Sequence, residues 1–161
     1  MAEDDRVELI GGELVPMSPK GNRHVKLKSE LIDWIGRLLP EDVRLSIELG
    51  WRPGGDRYLE PDFILFPKGH ETPVVAPEHV LLIIDVADPS LRYDTGIKAR
   101  VYARLGVREY WVIDANTLET TVHLAPSAEG YGSVAMHPAP TALTPTLLPA
   151  LSLSLAALGL Q

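Results

Sequence analysis

Apolar positions recur along this chain with two different periods, and the switches between them mark out its elements. From Arg23 to Leu39 the residues Leu27, Leu31, Trp34, Ile35 and Leu38 stand three or four apart, which predicts an amphipathic helix. Asn22 is placed to cap it and Pro40 ends it. Val43 to Trp51 alternates instead, with Val43, Leu45, Ile47 and Leu49 against Arg44, Ser46 and Glu48, the pattern of a half-buried strand. Two short apolar runs follow, YLEPDFILF and HVLLIIDVADPS, then DTGIKARVYARLGV and REYWVID. These read as strand, strand, helix, strand. The connecting loop Pro67 to Glu78 holds Pro67, Gly69, Pro73 and Pro77 and is not strand throughout. The helix is expected to be capped by Asp94 or Thr95, to bury Ile97, Val101 and Leu105, and to end at Gly106.

The flanks carry weaker patterns. VELIGGELVPM predicts a hairpin turned at Gly11-Gly12, and Ala2 to Asp5 are expected to be disordered. Leu118 to Leu124 and Tyr131 to Met136, joined by SAEGYG, predict a peripheral hairpin. In the tail, residues 138–161, Pro138, Pro140, Pro145 and Pro149 keep the chain extended. LSLSLAAL there sets Leu151, Leu153 and Leu155 on one face, for docking on the sheet or on a partner subunit. The 161 residues are most economically one domain with a real core.

Connectivity then gathers the polar chemistry. Three strands in a meander bring the end of the first, the start of the second and the end of the third to one edge. Glu48, Asp62 and Asp85 hold those places, and the preceding helix returns its N-terminal His24 to the same edge. Alternation groups Asp62 with Ile64 and Phe66, and Asp85 with Leu81 and Ile83, so a register with Asp62 opposite Asp85 is allowed. Two carboxylates so placed repel, and such a pair shares a proton or holds a cation. An acidic residue directly after LLII is costly unless paired. A crossover to a parallel strand puts Glu109 at the far edge and Asp114 at the site edge.

Composition narrows the classes. Hydrophobic residues make up 45% of the chain, and no run approaches the ~18 apolar residues of a membrane span. MAEDDRVE lacks the order of a secretion signal, and the absence of cysteine excludes disulfides and thiolate metal sites; both suit a cytoplasmic protein. A metal site would have to use oxygen ligands or histidine. The net charge of −7 runs against a nucleic-acid binder. Basic residues do cluster beside the site segments, as Lys20, Arg23, Lys26 and Lys28, and as Arg92, Lys98, Arg100, Arg104 and Arg108. Such clusters are also what a solvated helix face carries.

The ordered set of Pro61-Asp62, Asp85-Val86 and Lys98 within KARVYARLGVREYWVID resembles the PD-(D/E)XK nuclease superfamily. More closely, the chain resembles the Uma-two family of restriction-type endonucleases, from ELIGGELVPMSP to near LPALSLSL. The resemblance implies an α/β (α+β) fold: a restriction-endonuclease-like core, with a mixed β-sheet flanked by helices and N- and C-terminal β-hairpin additions. It implies an endonuclease, dependent on Mg2+ or Mn2+, that hydrolyses double-stranded DNA with a metal-activated water; since cutting both strands needs two sites and the apolar tail offers a contact surface, a homodimer is expected. Asp62 and Asp85 then become metal ligands with the Val86 carbonyl as a third, and Glu48 completes the site or serves a second ion. Lys98 matches the family's helix-borne lysine and would steady the attacking water or the phosphate. His24 matches a recurrent histidine, a contact for phosphate or for a metal-bound water. Glu13 matches as well, with no chemical role assigned. Two departures stand out: the superfamily's usual lysine position is Ala87 here, and Asp85 stands where the family most often has Glu.

Plainer readings exist for each residue. Asp62 suits a strand-entry cap, Glu48 an exposed strand residue, His24 a helix cap, and Lys98 a surface pair with Asp94 or Tyr102. Tyr102 and Trp111 are expected to pack the core, and His70, His79, His123 and His137 lack metal-ligand spacing. Two rival functions follow: an inactive nuclease-fold module that binds nucleic acid or protein, and a phosphoesterase for small nucleotides.

Overall fold

The computed structural model describes residues 7–10, 13–16, 22–54, 56–70, 74–88 and 93–160. The expected disorder of Ala2 to Asp5 and the Gly11-Gly12 turn lie outside them.

The strands β1 (Val7–Ile10) and β2 (Glu13–Pro16) pair antiparallel as the expected hairpin. It is tied to the body at Leu9, whose N–H and carbonyl bond Tyr58 at 2.8 and 3.0 Å. Helix α1 (Asn22–Leu38) follows, then β3 (Val43–Ile47), β4 (Phe63–Pro67) and β5 (Leu82–Ala87). A π-helical turn, Asp94–Lys98, runs directly into α2 (Ala99–Leu105), and the chain continues through β6 (Glu109–Asp114), β7 (Thr120–Ser127) and β8 (Gly130–His137). Strands β3 to β8 form one six-stranded sheet in sequence order. Only the β5–β6 pair is parallel, the helical crossover having carried the chain back across the sheet.

Alternation along the strands divides the core in two. Phe63, Leu65, Ile84, Val86, Trp111 and Ile113 face Leu27, Leu31 and Ile35 of α1. Ile64, Phe66, Ile83, Tyr110 and Val112 face Ala99 and Tyr102 of α2. The central strands are therefore apolar on both faces, which is why they appear in the sequence as unbroken runs.

Four expectations change. Strand β3 stops at Ile47 because Glu48 takes φ 53, in the left-handed region, and Leu49 is left 53% exposed. In α1 the buried stripe is His24, Leu27, Lys28, Leu31 and Ile35, while Leu38 is exposed. The second helical segment buries Asp94, Lys98, Ala99, Tyr102 and Ala103 rather than Ile97, Val101 and Leu105; Ile97 is 56% exposed. Neither Asp94 nor Thr95 caps it, since Asp94 already lies inside the π-helical turn, although Gly106 does close the helix at φ 87. The hairpin of β7 and β8 lies at the end of the sheet, as expected of a peripheral one. It supplies two of the six strands, with a turn of only Ala128 and Glu129.

The tail folds back on the α1 side of the sheet. Two-residue strands β9 (Ala142–Leu143) and β10 (Leu153–Ser154) pair, with 3-10 turns at Pro149–Leu151 and Leu155–Leu158. Leu151, Leu153 and Leu155 are buried in the same cluster as α1.

Candidate active site

The edge predicted from connectivity is where the buried polar groups collect. Asp62 directly precedes β4 and Asp85 lies within β5, one step beyond the last ladder pair, Phe63 with Ile84. Their exposures are 6% and 2%. Each carboxylate takes a backbone proton from the other strand: Asp62 N–H donates to Asp85 Oδ1 at 2.9 Å, and Val86 N–H donates to Asp62 Oδ2 at 2.7 Å. Charge-assisted bonds of this kind are stronger than neutral ones. Here they continue the sheet by side chain where the ladder has ended.

The two side chains then diverge. Asp62 does not share the side of Ile64 and Phe66, because it stands before the regular strand begins; its Oδ1 accepts from Lys28 Nζ of α1 at 3.0 Å. Lys28 Nζ also donates to Glu48 Oε1, and His24 Nε2 lies 3.9 Å from Asp62 Oδ2. Asp85 points to the α2 side, where its Oδ2 accepts from the Tyr110 hydroxyl at 2.8 Å and meets Lys98 Nζ at 3.1 Å. Lys98 is 3% exposed and lies 3.8 Å from Asp94 Oδ1, so the expected surface pair is a buried one. Burial, and next the charge of Asp85, push the Tyr110 pKa well up, which keeps its hydroxyl a donor.

Glu48, Asp62, Asp85, Lys98 and His24 thus share one end of the sheet. Glu48 N–H bonds the Asp62 carbonyl at 3.1 Å, which fixes the strained residue beside the pair. The side chain of Glu13 is outside the described residues. Tyr102 and Trp111 pack in the core, as expected.

Two partners were missed from the sequence: Lys28 and Tyr110. Lys28 lies one helical turn after His24, between Leu27 and Leu31, and that position on the stripe was its available signal. Tyr110 alternates with Val112 on the face of Ile83 and Asp85.

Among the described residues, several members of the basic clusters are engaged elsewhere. Lys28 and Lys98 are buried in ion pairs, Arg104 Nε donates to the Ala128 carbonyl, and Arg108 donates to the carbonyls of Glu78 and Val80. Lys20 and Arg92 fall outside the described residues. Beside the first turn of α1 a cavity of about 190 Å³ is lined by Arg23, Lys26 and Asn116, among others.

Among the described residues, no three His, Cys, Asp or Glu side chains are gathered as a metal cage. The donors at the pair are all oxygen, the kind that suits Mg2+ or Mn2+. They fit such an ion in chemistry, with ammonium groups as their present counter-charges.

With this geometry described, comparison with known proteins gives the lineage. The profile of the family described as "Putative restriction endonuclease" matches residues 1–156. The chain belongs to this Uma-two (Uma2) family. No curated protein matches it. A crystal structure titled as "a putative nuclease belonging to DUF820", from Anabaena variabilis ATCC 29413, superposes on the Uma-two chain with a TM-score of 0.75. It is 19% identical, over 94% of this chain and 88% of that one, a likeness of fold. The Uma-two chain therefore has a restriction-endonuclease-like α+β fold with a mixed sheet, as the motifs implied.

Proposed function

We propose that this Uma-two chain is a metal-dependent endonuclease that hydrolyses phosphodiester bonds of double-stranded DNA. The observation that carries the reading is the buried carboxylate pair Asp62–Asp85 with the Lys98 ammonium 3.1 Å from Asp85, at an edge reached by two other polar side chains, Glu48 and His24. In this reading Asp62, Asp85 and the Val86 carbonyl hold Mg2+ or Mn2+. When bound, the ion supplies an acidified water and a counter-charge for the phosphorus.

The remaining work falls to the chain. Lys98, held by Asp85 and Asp94, presents a fixed positive charge to the water or to a phosphate oxygen. Tyr110 keeps the Asp85 carboxylate in one orientation through its hydroxyl. His24, with Nε2 3.9 Å from Asp62 Oδ2, serves as a contact for a phosphate or a metal-bound water, and Arg23 and Lys26 line the cavity at the first turn of α1. Severing both strands of a duplex calls for two sites, and so for a homodimer. No helix among the described residues is long and apolar enough to cross a membrane, and a chain without cysteine suits the reducing cytoplasm, where we place it.

One observation favours an inactive binding module instead: each site lysine already rests on a carboxylate. Plasmid nicking in Mg2+ or Mn2+ separates the readings. Wild-type protein should nick, and Asp62→Asn, Asp85→Asn and Lys98→Met should each lose roughly a hundredfold or more, the scale set by one lost charge-stabilising group. Wild-type protein that never nicks, or nicking that survives both aspartate changes, would reject the nuclease. Turnover of dinucleotides that ignores added salt would point to a small-nucleotide phosphoesterase, because duplex binding weakens steeply with salt.

A further inference from the structure

We propose that the Lys28 ammonium is the built-in cation of the Glu48–Asp62 position, so that the site takes one divalent ion and not two. This deepens the nuclease reading and rests on it for the identity of the ion. The sequence offered Glu48 for a second metal, and the structure puts a lysine there.

Four observations support the assignment. Lys28 lies on the buried stripe of α1 with its side chain 8% exposed, so the ammonium is no mobile surface arm. A buried charge persists only with partners, and Lys28 has two, Glu48 Oε1 and Asp62 Oδ1. Glu48 reaches it from a left-handed backbone at φ 53, a conformation that costs free energy in any residue with a side chain and breaks β3 at that point. Asp62 meets the ammonium with Oδ1 and the β5 backbone with Oδ2, so one carboxylate links the lysine to the Asp85 side.

Charge limits the site in the same way. Among the described residues, Glu48 and Asp62 already share the Lys28 ammonium, as Asp85 and Asp94 share that of Lys98. A second divalent ion would meet Lys28 on shared ligands, as a like charge at contact distance and in a site that screens poorly. Two-metal nucleases clamp the attacking and leaving oxygens with separate ions. Here the ammonium takes the place of one of them.

The test is a count of Mn2+ bound per chain, by electron paramagnetic resonance and equilibrium dialysis, with folding checked by circular dichroism. Wild-type protein should bind one ion, Lys28→Met two, and Lys28→Met with Glu48→Gln one again. Lys28→Ala, which leaves room for an ion and its waters, is the second variant should the first not fold. Equal counts in wild type and the Lys28 variants overturn the proposal, and so do two ions in the wild type, a result that needs no variant at all. A wild type that binds none overturns it as well, because the single ion it assigns is then missing. The nuclease reading stands or falls separately in the nicking assay.

Discussion

Asp85 sits in β5 between apolar neighbours, and both of its oxygens are engaged, one by the Asp62 amide and the other by Tyr110 and Lys98. Its place in the sequence betrayed it, since a carboxylate after four aliphatic residues demands partners. Lys28 gave no such warning, because a lysine on an amphipathic helix is normally a solvated one. Its place between Leu27 and Leu31 was the one hint, and the structure buries it there against Glu48 and Asp62. Tyr110 carries the same layer onward: its ring lies 4.7 Å from that of Tyr102 and 5.2 Å from that of His123. His123 is 2% exposed, with Nδ1 3.0 Å from the Tyr110 carbonyl oxygen. Burial lowers its pKa from 6.5, outweighing the backbone bonds to Tyr110 and Thr121 that raise it. As pH falls below 6.5, the unfolded chain binds a proton that the folded chain refuses. The stability owed to neutral His123 is therefore complete above that pH and drains away toward the lower, folded pKa. Chemical denaturation from neutral to mildly acid pH should show a smaller loss in His123→Gln than in wild type. Equal slopes would refute the assignment.

The second helical segment shows where elements are legible and where they are not. Its end was readable, because Gly106 supplies the left-handed residue that a helix terminus requires. Its orientation was not. Ile97, Val101 and Leu105 form one stripe, and Asp94, Lys98 and Tyr102 form a rival at the same spacing, so the apolar stripe was the natural choice. The fold buries the polar stripe because Asp85 waits beneath it, and it does so through a π-helical turn, a form often found at functional sites. Strand β3 repeats the lesson, since the alternation that predicted Leu49 inside ends at the residue bent to reach Lys28. The cost of the helix end is open to measurement. A Cβ on Gly106 would meet nothing within 4 Å, so Gly106→Ala carries only the backbone penalty of φ 87. Urea unfolding should lose about 1 kcal/mol. No loss would mean that the left-handed turn is not held in solution.

Across the whole molecule, topology was legible because meander and crossover follow from which runs are adjacent, and the tail was legible as a sheet-docking segment. What alternation could not decide was whose sheet it covers. The buried tail leucines, Leu143, Leu148, Leu151, Leu153, Leu155 and Leu158, pack on their own chain. At about 1.5–3 kcal/mol for each well-buried side chain, that burial is comparable to the whole stability of a domain. Those six leucines are thus committed to their own core. A partner copy has another surface to use. Strand β8 ends the sheet and reads GYGSVAMH, with no Lys, Arg, Asp, Glu or Pro to guard it, and with Val134 57% and Met136 65% exposed. The homodimer expected of a duplex-cutting enzyme should form by edge pairing of β8 with its counterpart in a second copy. Sedimentation should find a dimer in wild type and a monomer in Met136→Lys; a monomeric wild type sinks the idea.

The crossed bonds between β4 and β5 have a practical consequence. The amides of Asp62 and Val86 each point into a carboxylate on which the chemistry is proposed to depend. Their nitrogen-bound protons therefore act as native NMR reporters, needing no label beyond isotopes. A cation arriving at Asp62 should shift the Val86 resonance before any phosphodiester is present. Truncating either aspartate to alanine should let one of these protons exchange quickly with solvent, a sign of a fraying edge that an activity assay alone would mistake for lost catalysis.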